Sequence, residues 1–576
     1  MTKKAPSQKV ILFATLLVSV ASFLVVPWTS AQAEKAGKTL SGNYLAGRFA
    51  QSRSDYSRAA DFLGAALKKA PAVPELLRRT FILMAIEGRI KEASGLAPEL
   101  LKTNPQEAVA NLLLMVDDLK RGRFEAVEKR IQGMPATGLN LIVGPVLHAW
   151  SLVGRKQNDD ALKLLTGGKK SAATEALNQM HAALINELLG NTEAAEKHYL
   201  ELSNNQSGLS LRIVQLLGAL YERTGKTEKA KALYDRYLKE QPGTQLLDVA
   251  LARLKKDKGA PLRVFSVTDG AAEALFGIAS SLRQQNARET ALVLSRLALH
   301  LKPNFPVMQI LLADILESDE RLEAALTIYS AISKKSAFSW SARLRIGSLL
   351  NRLKRKDEAV KKLETMARDR PSEAGPLINL GDILRGHERF GDAVKAYDQA
   401  FDRIGQLEKR HWSLLYARGI ALERSGQWPR AEADFLRALE FKPDQPYVLN
   451  YLGYSWIEKG LQIERAQEMI LKAVKQRPND GFILDSLGWG HYRLGNYGPA
   501  VEYLERAVEL RAQDPILNDH LGDAYWRVGR HREARFQWKR ALSFKPKDDL
   551  IAIIREKLKS GLATDIDTAK NKKNDG

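Results

Sequence analysis

The sequence predicts an all-α fold, a solenoid of about 14 helix-turn-helix repeats in two sub-arrays. Small residues that let helices approach closely recur at one fixed interval along the chain. The clearest pairs are Gly488 with Gly522, Ala500 with Ala534, and Ala507 with Ala541. Apolar residues between these positions fall at the i, i+3 and i+4 spacing of a buried helix face. Glycines where first helices should end and prolines where second helices should end complete the repeat.

Residues 1–33 differ in kind from the repeats. Lys3, Lys4 and Lys9 precede an apolar run over residues 10–26, and residues 31–33 read Ala-Gln-Ala. This order is typical of a secretory signal peptide with a small-residue cleavage site. The apolar run is also only slightly short for an uncleaved signal anchor. With either interpretation of residues 1–33, we expect the rest of the chain in the periplasm, soluble or held at the inner membrane.

The repeats can be followed by the alanine that opens each second helix. In the N-terminal sub-array, residues 34–242, these are Ala59, Ala93, Ala126, Ala161, Ala195 and Ala230. In the C-terminal sub-array, residues 274–546, they are Ala291, Ala325, Ala359, Ala393, Ala431, Ala466, Ala500 and Ala534. We expect residues 547–562 to form a capping helix over the exposed end of the stack. Residues 563–576 are expected to be a disordered tail.

Residues 243–273 interrupt this rhythm, because the interval from Ala230 to Ala291 is nearly twice the regular one. Within the interruption, residues 260–270 carry chain breakers and lack a helical period. We interpret residues 243–273 as a hinge or connector between the sub-arrays. A functional interpretation also stays open, in which this loop folds over a groove or contacts a partner.

The helix pairs recur with a period of about 34 residues, which resembles the tetratricopeptide repeat (TPR). The last repeats are similar, more specifically, to the carboxyl-terminal repeats of a proteobacterial envelope TPR family. The similar segments are 449–454 (LNYLGY), 483–489 (ILDSLGW), 492–495 (YRLG) and 520–526 (HLGDAYW), with 271–276 (AAEALF) after the interruption. The resemblance implies an adaptor that binds and activates a periplasmic carboxyl-terminal processing protease. The family's described member carries an amino-terminal lipid on cysteine, and this chain has no cysteine to carry one.

TPR arrays bind partners along a concave groove lined by the first helix of each repeat, and the resemblance assigns residues of the last repeats to this groove. They are Tyr447, Asn450, Tyr454, Phe482, Asp485, Trp489, Tyr492, Arg493, Asp519, Asp523, Trp526 and Arg527. Aromatic and arginine side chains are typical of protein-binding hot spots. For Trp489 and Trp526 the alternative is packing between neighbouring helices. For Arg493 and Arg527 the groove is the favoured location, because burying an arginine without a partner for its charge is unfavourable. The set does not resemble the carboxylate clamp of chaperone-binding TPRs.

A basic patch coincides with the final repeat. From Trp526 to Lys547 the chain has eight Lys or Arg residues and one acid, Glu533. The core of the patch is Arg530, Arg532, Arg535, Lys539 and Arg540. Such a surface would suit an acidic protein or anionic lipid, and the alternative is a merely soluble end face.

The sequence contains no recognisable catalytic constellation. The absence of cysteine excludes disulfides, thiolate zinc sites and thiol catalysis. The nine histidines include no HExxH motif and no pair at helical ligand spacing, and there is no glycine-rich phosphate loop. We therefore expect no enzyme activity, no metal and no cofactor. The net charge of +21 in an exported protein favours acidic protein partners or peripheral contact with anionic membrane over nucleic acid.

The leading hypothesis is a non-enzymatic periplasmic scaffold that brings a processing protease together with envelope protein substrates, such as cell-wall hydrolases. The alternative is a scaffold for envelope polysaccharide export or outer-membrane assembly. A third hypothesis is an enzyme with an unrecognised site, which would show turnover that a point substitution abolishes.

Overall fold

The computed structural model describes residues 37–134, 137–167, 172–204, 209–256 and 259–562. Over these ranges the chain forms 30 α-helices and one short 3₁₀ turn, with no β-strand. The all-α helix-turn-helix solenoid predicted from the sequence is confirmed. The predicted signal segment, 1–33, and the predicted tail, 563–576, lie outside the described residues.

The chain divides into two compact units, Met1–Ser339 and Trp340–Gly576. In the first unit, helices alternate as first and second members of repeats, with one short extra helix, α13. The helices are α1 (Leu40–Ser52), α2 (Tyr56–Lys69), α3 (Pro74–Ile86), α4 (Ile90–Thr103), α5 (Ala108–Lys120), α6 (Phe124–Gln132), α7 (Gly138–Gly154), α8 (Asn158–Thr166), α9 (Ala172–Leu188), α10 (Thr192–Asn204), α11 (Leu211–Arg223), α12 (Thr227–Glu240), α13 (Asp248–Leu254), α14 (Val267–Gln284), α15 (Arg288–Leu301), α16 (Pro306–Ser318) and α17 (Leu322–Ser330).

The second unit continues the alternation and ends in a single helix. Its helices are α18 (Ser339–Arg352), α19 (Lys356–Asp369), α20 (Gly375–Gly386), α21 (Phe390–Ile404), α22 (Trp412–Arg424), α23 (Trp428–Phe441), α24 (Pro446–Lys459), α25 (Ile463–Gln476), α26 (Gly481–Arg493), α27 (Tyr497–Leu510), α28 (Pro515–Arg527), α29 (His531–Ser543) and α30 (Asp548–Ser560). The 3₁₀ turn, Lys409–His411, lies before α22. Helix α30 occupies the span in which the sequence predicts a capping helix and packs on α29.

In seven repeats of the described ranges, a glycine of the first helix faces a large side chain of the second helix at the same offset along the chain, and in α24 Gly453 faces Ile470 at an offset one residue longer. A Cβ at Gly522 would lie 2.5 Å from Trp538, and one at Gly488 would lie 2.7 Å from Leu504. Five further repeats have the same arrangement, in Gly47–Leu63, Gly218–Tyr234, Gly347–Leu363, Gly381–Tyr397 and Gly419–Phe435. Glycine is needed at these positions because any side chain would push the two helices apart.

The alanines predicted to open the second helices are fully buried, with one exception. Ala126 is half-buried, and its neighbour Val127 has an exposure of 0%. Val127 is the fourth residue of α6, the place that Ala93 has in α4 and Ala161 has in α8. The prediction that Ala126 opens the second helix of its repeat was therefore wrong by one position. Residue size misleads here, because a valine rather than an alanine occupies the buried position. With Val127 the spacing from Ala93 to Ala161 becomes two regular periods.

The predicted connector, 243–273, lies inside the first unit and contains two helical segments. Helix α13 occupies part of it, and α14 begins at Val267, where the Ser266 hydroxyl accepts a hydrogen bond from the Asp269 N–H at 3.2 Å. Helix α14 then packs against α5, α7 and α9, and α15 packs against α3, α4 and α5. The break in the repeat thus turns the chain back onto its own earlier helices, and the boundary between compact units falls later, after Ser339.

Candidate protein-binding groove

Three neighbouring first helices of the second unit, α24, α26 and α28, carry the predicted groove residues and pack side by side. Each begins at a side chain that caps it, which are Gln445, Asp480 and Asp514. The side-chain oxygen of each accepts hydrogen bonds from the backbone N–H groups two and three residues later, at 2.7–3.4 Å. Such caps satisfy N–H groups that the helix itself leaves unpaired. The three helices therefore start at equivalent points and present equivalent positions to one another.

Trp489 is the centre of an aromatic cluster on this face. Its ring stacks on Tyr492, with ring centroids 4.6 Å apart, and on His520 of α28, with centroids 4.0 Å apart. The indole N–H donates to Glu458 Oε1 of α24 at 2.7 Å, and Arg493 Nη1 donates to the same oxygen at 3.2 Å. Trp489 therefore connects all three helices. It is half-buried, and Arg493 and Glu458 keep side-chain exposures of 42% and 35%, so the cluster reaches solvent.

His520 is held by a buried carboxylate beneath this cluster. Its Nδ1 lies 2.9 Å and 3.2 Å from the two carboxylate oxygens of Asp485. Burial by itself would lower the pKa of His520, but Asp485, with Asp519 and Asp523 further away, outweighs burial and raises that pKa. The protonated imidazole is therefore favoured, and a cationic ring stacked on Trp489 gains a cation–π contribution.

The far end of the predicted groove is covered by α30. Lys557 of α30 donates to both oxygens of Asp519, at 2.8 and 2.9 Å, and to Asp523 at 2.7 Å. Trp538 Nε1 also donates to Asp523, at 2.9 Å. Burial and the neighbouring Asp519 raise the pKa of Asp523, while Lys557 opposes the rise. Asp519 and Asp523 are thus neutralised inside the protein rather than presented to a partner.

Trp526 is a packing residue at the same end. It stacks on His531, with ring centroids 4.2 Å apart, and lies beside Trp538. Gly561, just after α30, approaches the Trp526 ring so closely that a Cβ there would lie 2.0 Å from it. Both tryptophans are half-buried and both contact neighbouring helices, but their partners differ. Trp526 lies against α29 and Gly561, whereas Trp489 lies between the first helices α24 and α28. Arg527 lies between the two tryptophans, with its Nε 3.4 Å from the Tyr492 hydroxyl oxygen.

The predicted groove residues at the starts of α24 and α26 are more exposed than Tyr454, which lies further along α24. Tyr447 and Phe482 are exposed, at 41% and 48%, at the starts of α24 and α26. Arg477 lies over the Tyr447 ring and Arg511 lies over the Phe482 ring. Tyr454 is half-buried, and burial together with Glu458 and Asp485 raises the pKa of its hydroxyl.

Asn450, on the same helix as Tyr454, has a carbonyl oxygen that is buried without a hydrogen-bond partner among the described residues. A buried amide oxygen left unpaired is destabilising. The Oδ1 of Asn450, on the groove helix α24, is therefore an acceptor that no described residue uses.

Sequence reasoning missed three residues that organise this face, which are Glu458, His520 and Lys557. Glu458 lies one helical turn after Tyr454, on the same face of α24, so helical spacing carried a signal for it. His520 stands in the quoted HLGDAYW segment, and its spacing from Asp485 follows the repeat closely. No local signal pointed to Lys557, because it reaches the groove from a helix outside the repeats.

Three residues of the predicted basic patch also contact neighbouring segments of the chain. Arg530 donates to Glu505 at 3.0 Å and to Glu533 at 3.1 Å, and Arg540 donates to the Ala512 carbonyl at 3.1 Å. Arg535 donates to the Leu558 carbonyl of α30 and lies over the Trp526 ring. Arg530 and Arg535 stay exposed despite these contacts, Arg532 and Lys539 are also exposed, and Arg540 is half-buried.

The described ranges offer neither a clustered metal site nor a membrane-spanning helix. No group of three or more histidine and acidic side chains there is placed to hold a metal ion. Among the helices of those ranges, none has both the length and the apolar character that crossing a bilayer requires.

Comparison with known proteins identifies the repeats. A family model described as "Tetratricopeptide repeat" matches residues 310–374, 378–446 and 486–549, and a second model with the same description matches residues 215–244. The comparison with curated proteins found no match.

Several solved structures are similar at low identity. The APC/C hetero-tetramer Cut9–Hcn1 is 14% identical over 92% of this chain and 97% of that chain, with a TM-score of 0.37. MamA from Desulfovibrio magneticus RS-1 is 19% identical over 30% of this chain and 94% of that chain, with a TM-score of 0.26. A tetratricopeptide repeat protein from Parabacteroides merdae ATCC 43184 is 14% identical over 50% of this chain and 97% of that chain, with a TM-score of 0.33.

Proposed function

We propose that this tetratricopeptide repeat protein is a non-enzymatic periplasmic adaptor that brings a carboxyl-terminal processing protease to envelope protein substrates. The coarser part of this role, a protein–protein interaction scaffold, follows from the repeats themselves. The finer part is supported by the signal-type sequence of residues 1–33 and by the resemblance of the last repeats to an envelope adaptor family.

The observation that carries the proposed binding site is the cluster around Trp489. A tryptophan that joins three helices yet remains half-buried offers a large, rigid contact area at little cost in conformational entropy. Arg493 and Glu458 add opposite charges beside it. An apolar partner side chain would stack on the aromatic rings, and polar groups of the partner would exchange with the exposed Arg493–Glu458 contact.

The test is affinity capture with the full chain, tagged at its carboxyl end and expressed in the organism that encodes it, followed by mass spectrometry. The groove variants are Trp489→Ala and Arg493→Glu, the second of which places two acids side by side at Glu458. Matched controls are Phe536→Ala on α29, which is 59% exposed, and Arg437→Glu on the second helix α23.

We expect the groove variants to weaken partner capture by about tenfold or more, with helicity retained, and the controls to capture normally. Trp489→Ala should melt at a lower temperature because it loses contacts to two neighbouring helices, so capture is measured at a temperature at which every variant is folded. Recovery of a processing protease or a cell-wall hydrolase that depends on Trp489 would support the adaptor role. Recovery of polysaccharide-export or outer-membrane assembly proteins would favour the alternative scaffold instead. A loss of folding in step with binding would assign Trp489 to the core.

A further inference from the structure

A cavity of about 410 Å³ in the first unit has a strongly basic lining. It is bounded by α11, α13, the connector before α14, the start of α16 and the loop after α17. Its charged lining residues are Arg212, Arg253, Arg263, Lys302 and Lys335, and no aspartate or glutamate of the described ranges lines it. Cations gathered on one wall of a concave site attract anions and raise their local concentration.

Most of these cations have a partner set back from the cavity. Arg212 Nε donates to Glu273 at 3.1 Å, Arg253 Nε donates to Glu222 at 2.7 Å, and Lys302 Nζ lies 3.3 Å from Asp269. These carboxylates hold the basic side chains in place without facing the cavity themselves.

Arg263 differs, because its side chain makes no hydrogen bond or ion pair with any described residue, and its Nε is buried. Burial, together with Arg212 and Arg253, lowers the pKa of its guanidinium, while Tyr234 and Glu222 oppose that change. The residue as a whole is half-buried and lines the cavity, so its guanidinium can bind an anionic partner in the cavity.

The connector backbone holds Arg263 in this position. The Arg263 carbonyl accepts from Lys302 Nζ at 2.9 Å, the Pro261 carbonyl accepts from Arg223 at 3.1 Å, and the Phe265 N–H donates to Asp269 at 2.9 Å. Val264, between them, is 2% exposed. The guanidinium is therefore presented from a fixed loop rather than from a mobile one.

An apolar groove continues from the basic cavity. A second cavity of about 730 Å³ shares Arg212, Gln215, Val307 and Phe338 with the first. Its walls are mostly apolar and include Leu177, Met180, Phe276 and Leu311. The acidic residue Asp314 also lines this cavity, and it accepts a hydrogen bond from the Tyr329 hydroxyl. On the other rim, Phe265 is 64% exposed and Val249 is 40% exposed. The combined site is open to solvent and pairs a cationic pocket with apolar surface, which suits a peptide better than an enclosed lipid chain.

We propose that this site binds a carboxylate of an apolar peptide segment, with Arg263 as the anchoring cation and the cavity beside Phe276 and Leu311 taking the adjacent apolar side chains. The proposal deepens the scaffold function and rests on that coarser role, but not on the protease as partner. The carboxylate would come from a chain terminus or from an acidic side chain, which the same chemistry would recognise.

Three peptides test the site on the purified full chain by saturation-transfer NMR titration. They are N-acetyl-Leu-Phe with a free carboxylate, the same peptide as its amide, and N-acetyl-Glu-Leu-Phe-amide, which carries only a side-chain carboxylate. Sodium dodecanoate is the lipid comparison. The variant is Arg263→Met, and the matched control is Arg48→Met, which removes an exposed arginine of α1.

We expect at least one carboxylate peptide to bind with a Kd of about 1 mM or below, and the amide to bind about tenfold more weakly. Arg263→Met should weaken binding of the carboxylate peptide by a similar factor. It should melt close to the parent, because no hydrogen bond from the Arg263 side chain to a described residue is lost. Arg48→Met should change neither measurement.

If neither carboxylate peptide bound the parent chain more tightly than the amide, the proposal would be overturned without any variant being needed. An affinity unchanged by Arg263→Met, or tighter binding of dodecanoate than of either peptide, would also overturn it. If acid-selective binding holds while Trp489-dependent capture fails, the anion site stands and the adaptor role falls. The reverse pattern leaves the adaptor role in place and removes this site.

Discussion

Arg493 and Arg527 occupy the same position in consecutive repeats and both reach back to the preceding first helix. Arg493 contacts Glu458 of α24, and Arg527 contacts the Tyr492 hydroxyl of α26. An arginine at this position of the repeat therefore contacts the preceding first helix. Its acceptor differs from repeat to repeat, being a carboxylate for Arg493 and a tyrosine hydroxyl for Arg527. These contacts explain why the two arginines are not buried unpaired, as their residue type indicated.

The protonation of His520 can be measured directly. Because Asp485 raises its pKa, the folded protein binds this proton more tightly than the unfolded chain does. The resulting stability is present below the unfolded pKa of about 6.5 and is lost as pH rises through the folded pKa. We expect its imidazole NMR signal, assigned by its absence in His520→Gln, to titrate above 6.5. Asp485→Asn should move the titration to lower pH.

His181 provides the internal comparison for that titration. It is buried, accepts a hydrogen bond from Trp150 Nε1 at 3.0 Å, and has its pKa lowered to about 3 by burial. Its signal should therefore stay that of a neutral imidazole from pH 5 to pH 9. A His520 signal that titrates below 6.5 would show that burial outweighs Asp485.

At the scale of the helix, α30 is joined to the last repeat by a buried cation. Lys557→Met would leave Asp519 and Asp523 buried together without a counter-charge. We expect a local loss of about 3–5 kcal/mol, seen as faster amide hydrogen exchange in α28, α29 and α30. Lys559→Met, on the exposed side of α30, should leave exchange unchanged.

A triple variant makes this test specific to charge. Adding Asp519→Asn and Asp523→Asn to Lys557→Met removes the two uncompensated carboxylates and should restore most of the lost protection. Equal exchange in the Lys557 and Lys559 variants would mean that α30 is held by its apolar contacts, such as Ile554, rather than by this pair.

The helices of the repeat could be predicted from sequence because their determinants are local and periodic. Gly488, Gly522 and most of the opening alanines recur at a nearly constant spacing, so the period and most of the buried positions follow directly. The register of α6 could not be found in this way, since Val127 fills there a place that alanine fills elsewhere. The pairing of Lys557 with Asp519 was also beyond pattern reasoning, because nothing periodic relates a terminal helix to the groove.

The groove was predicted only in part for a related reason. Repeat offsets indicate which residues lie on the first-helix side, and in the structure Trp489 and Arg493 both contact Glu458 there. Asp485, assigned to the same groove, is buried against His520. Offsets do not say which of those positions another segment of the chain covers. Asp523 and Trp526 were therefore assigned to an open groove, although α30 and Gly561 lie over them.

At the scale of the whole molecule, the first unit is closed by its own later helices. Helix α14 lies against α5, α7 and α9, and Gly270 allows it to approach Trp150. In Gly270→Ala the new Cβ would lie 2.1 Å from the Trp150 ring. We expect a loss of about 1–3 kcal/mol in the first unit, with faster hydrogen exchange in α7, α14 and α15.

Gly277→Ala, on the same helix, is the matched control. Its Cβ would meet only Leu177, at an ordinary 3.4 Å, so exchange in the first unit should change little or decrease. In both variants, exchange in helices α19 to α30 should match the parent chain. Similar exchange in the two glycine variants would show that α14 moves to accommodate the added methyl group without loss of packing.

The glycine of a first helix and its large counterpart in the second helix belong to the same repeat, and this has a consequence for how such an array grows. A gene duplication that copies one repeat copies both halves of the contact together, whether the counterpart is Leu504, Phe435 or Trp538. Each new copy arrives with its internal fit already matched. The array can therefore lengthen by whole units while each unit varies the size of its large residue independently, and only the surfaces between units need to adapt.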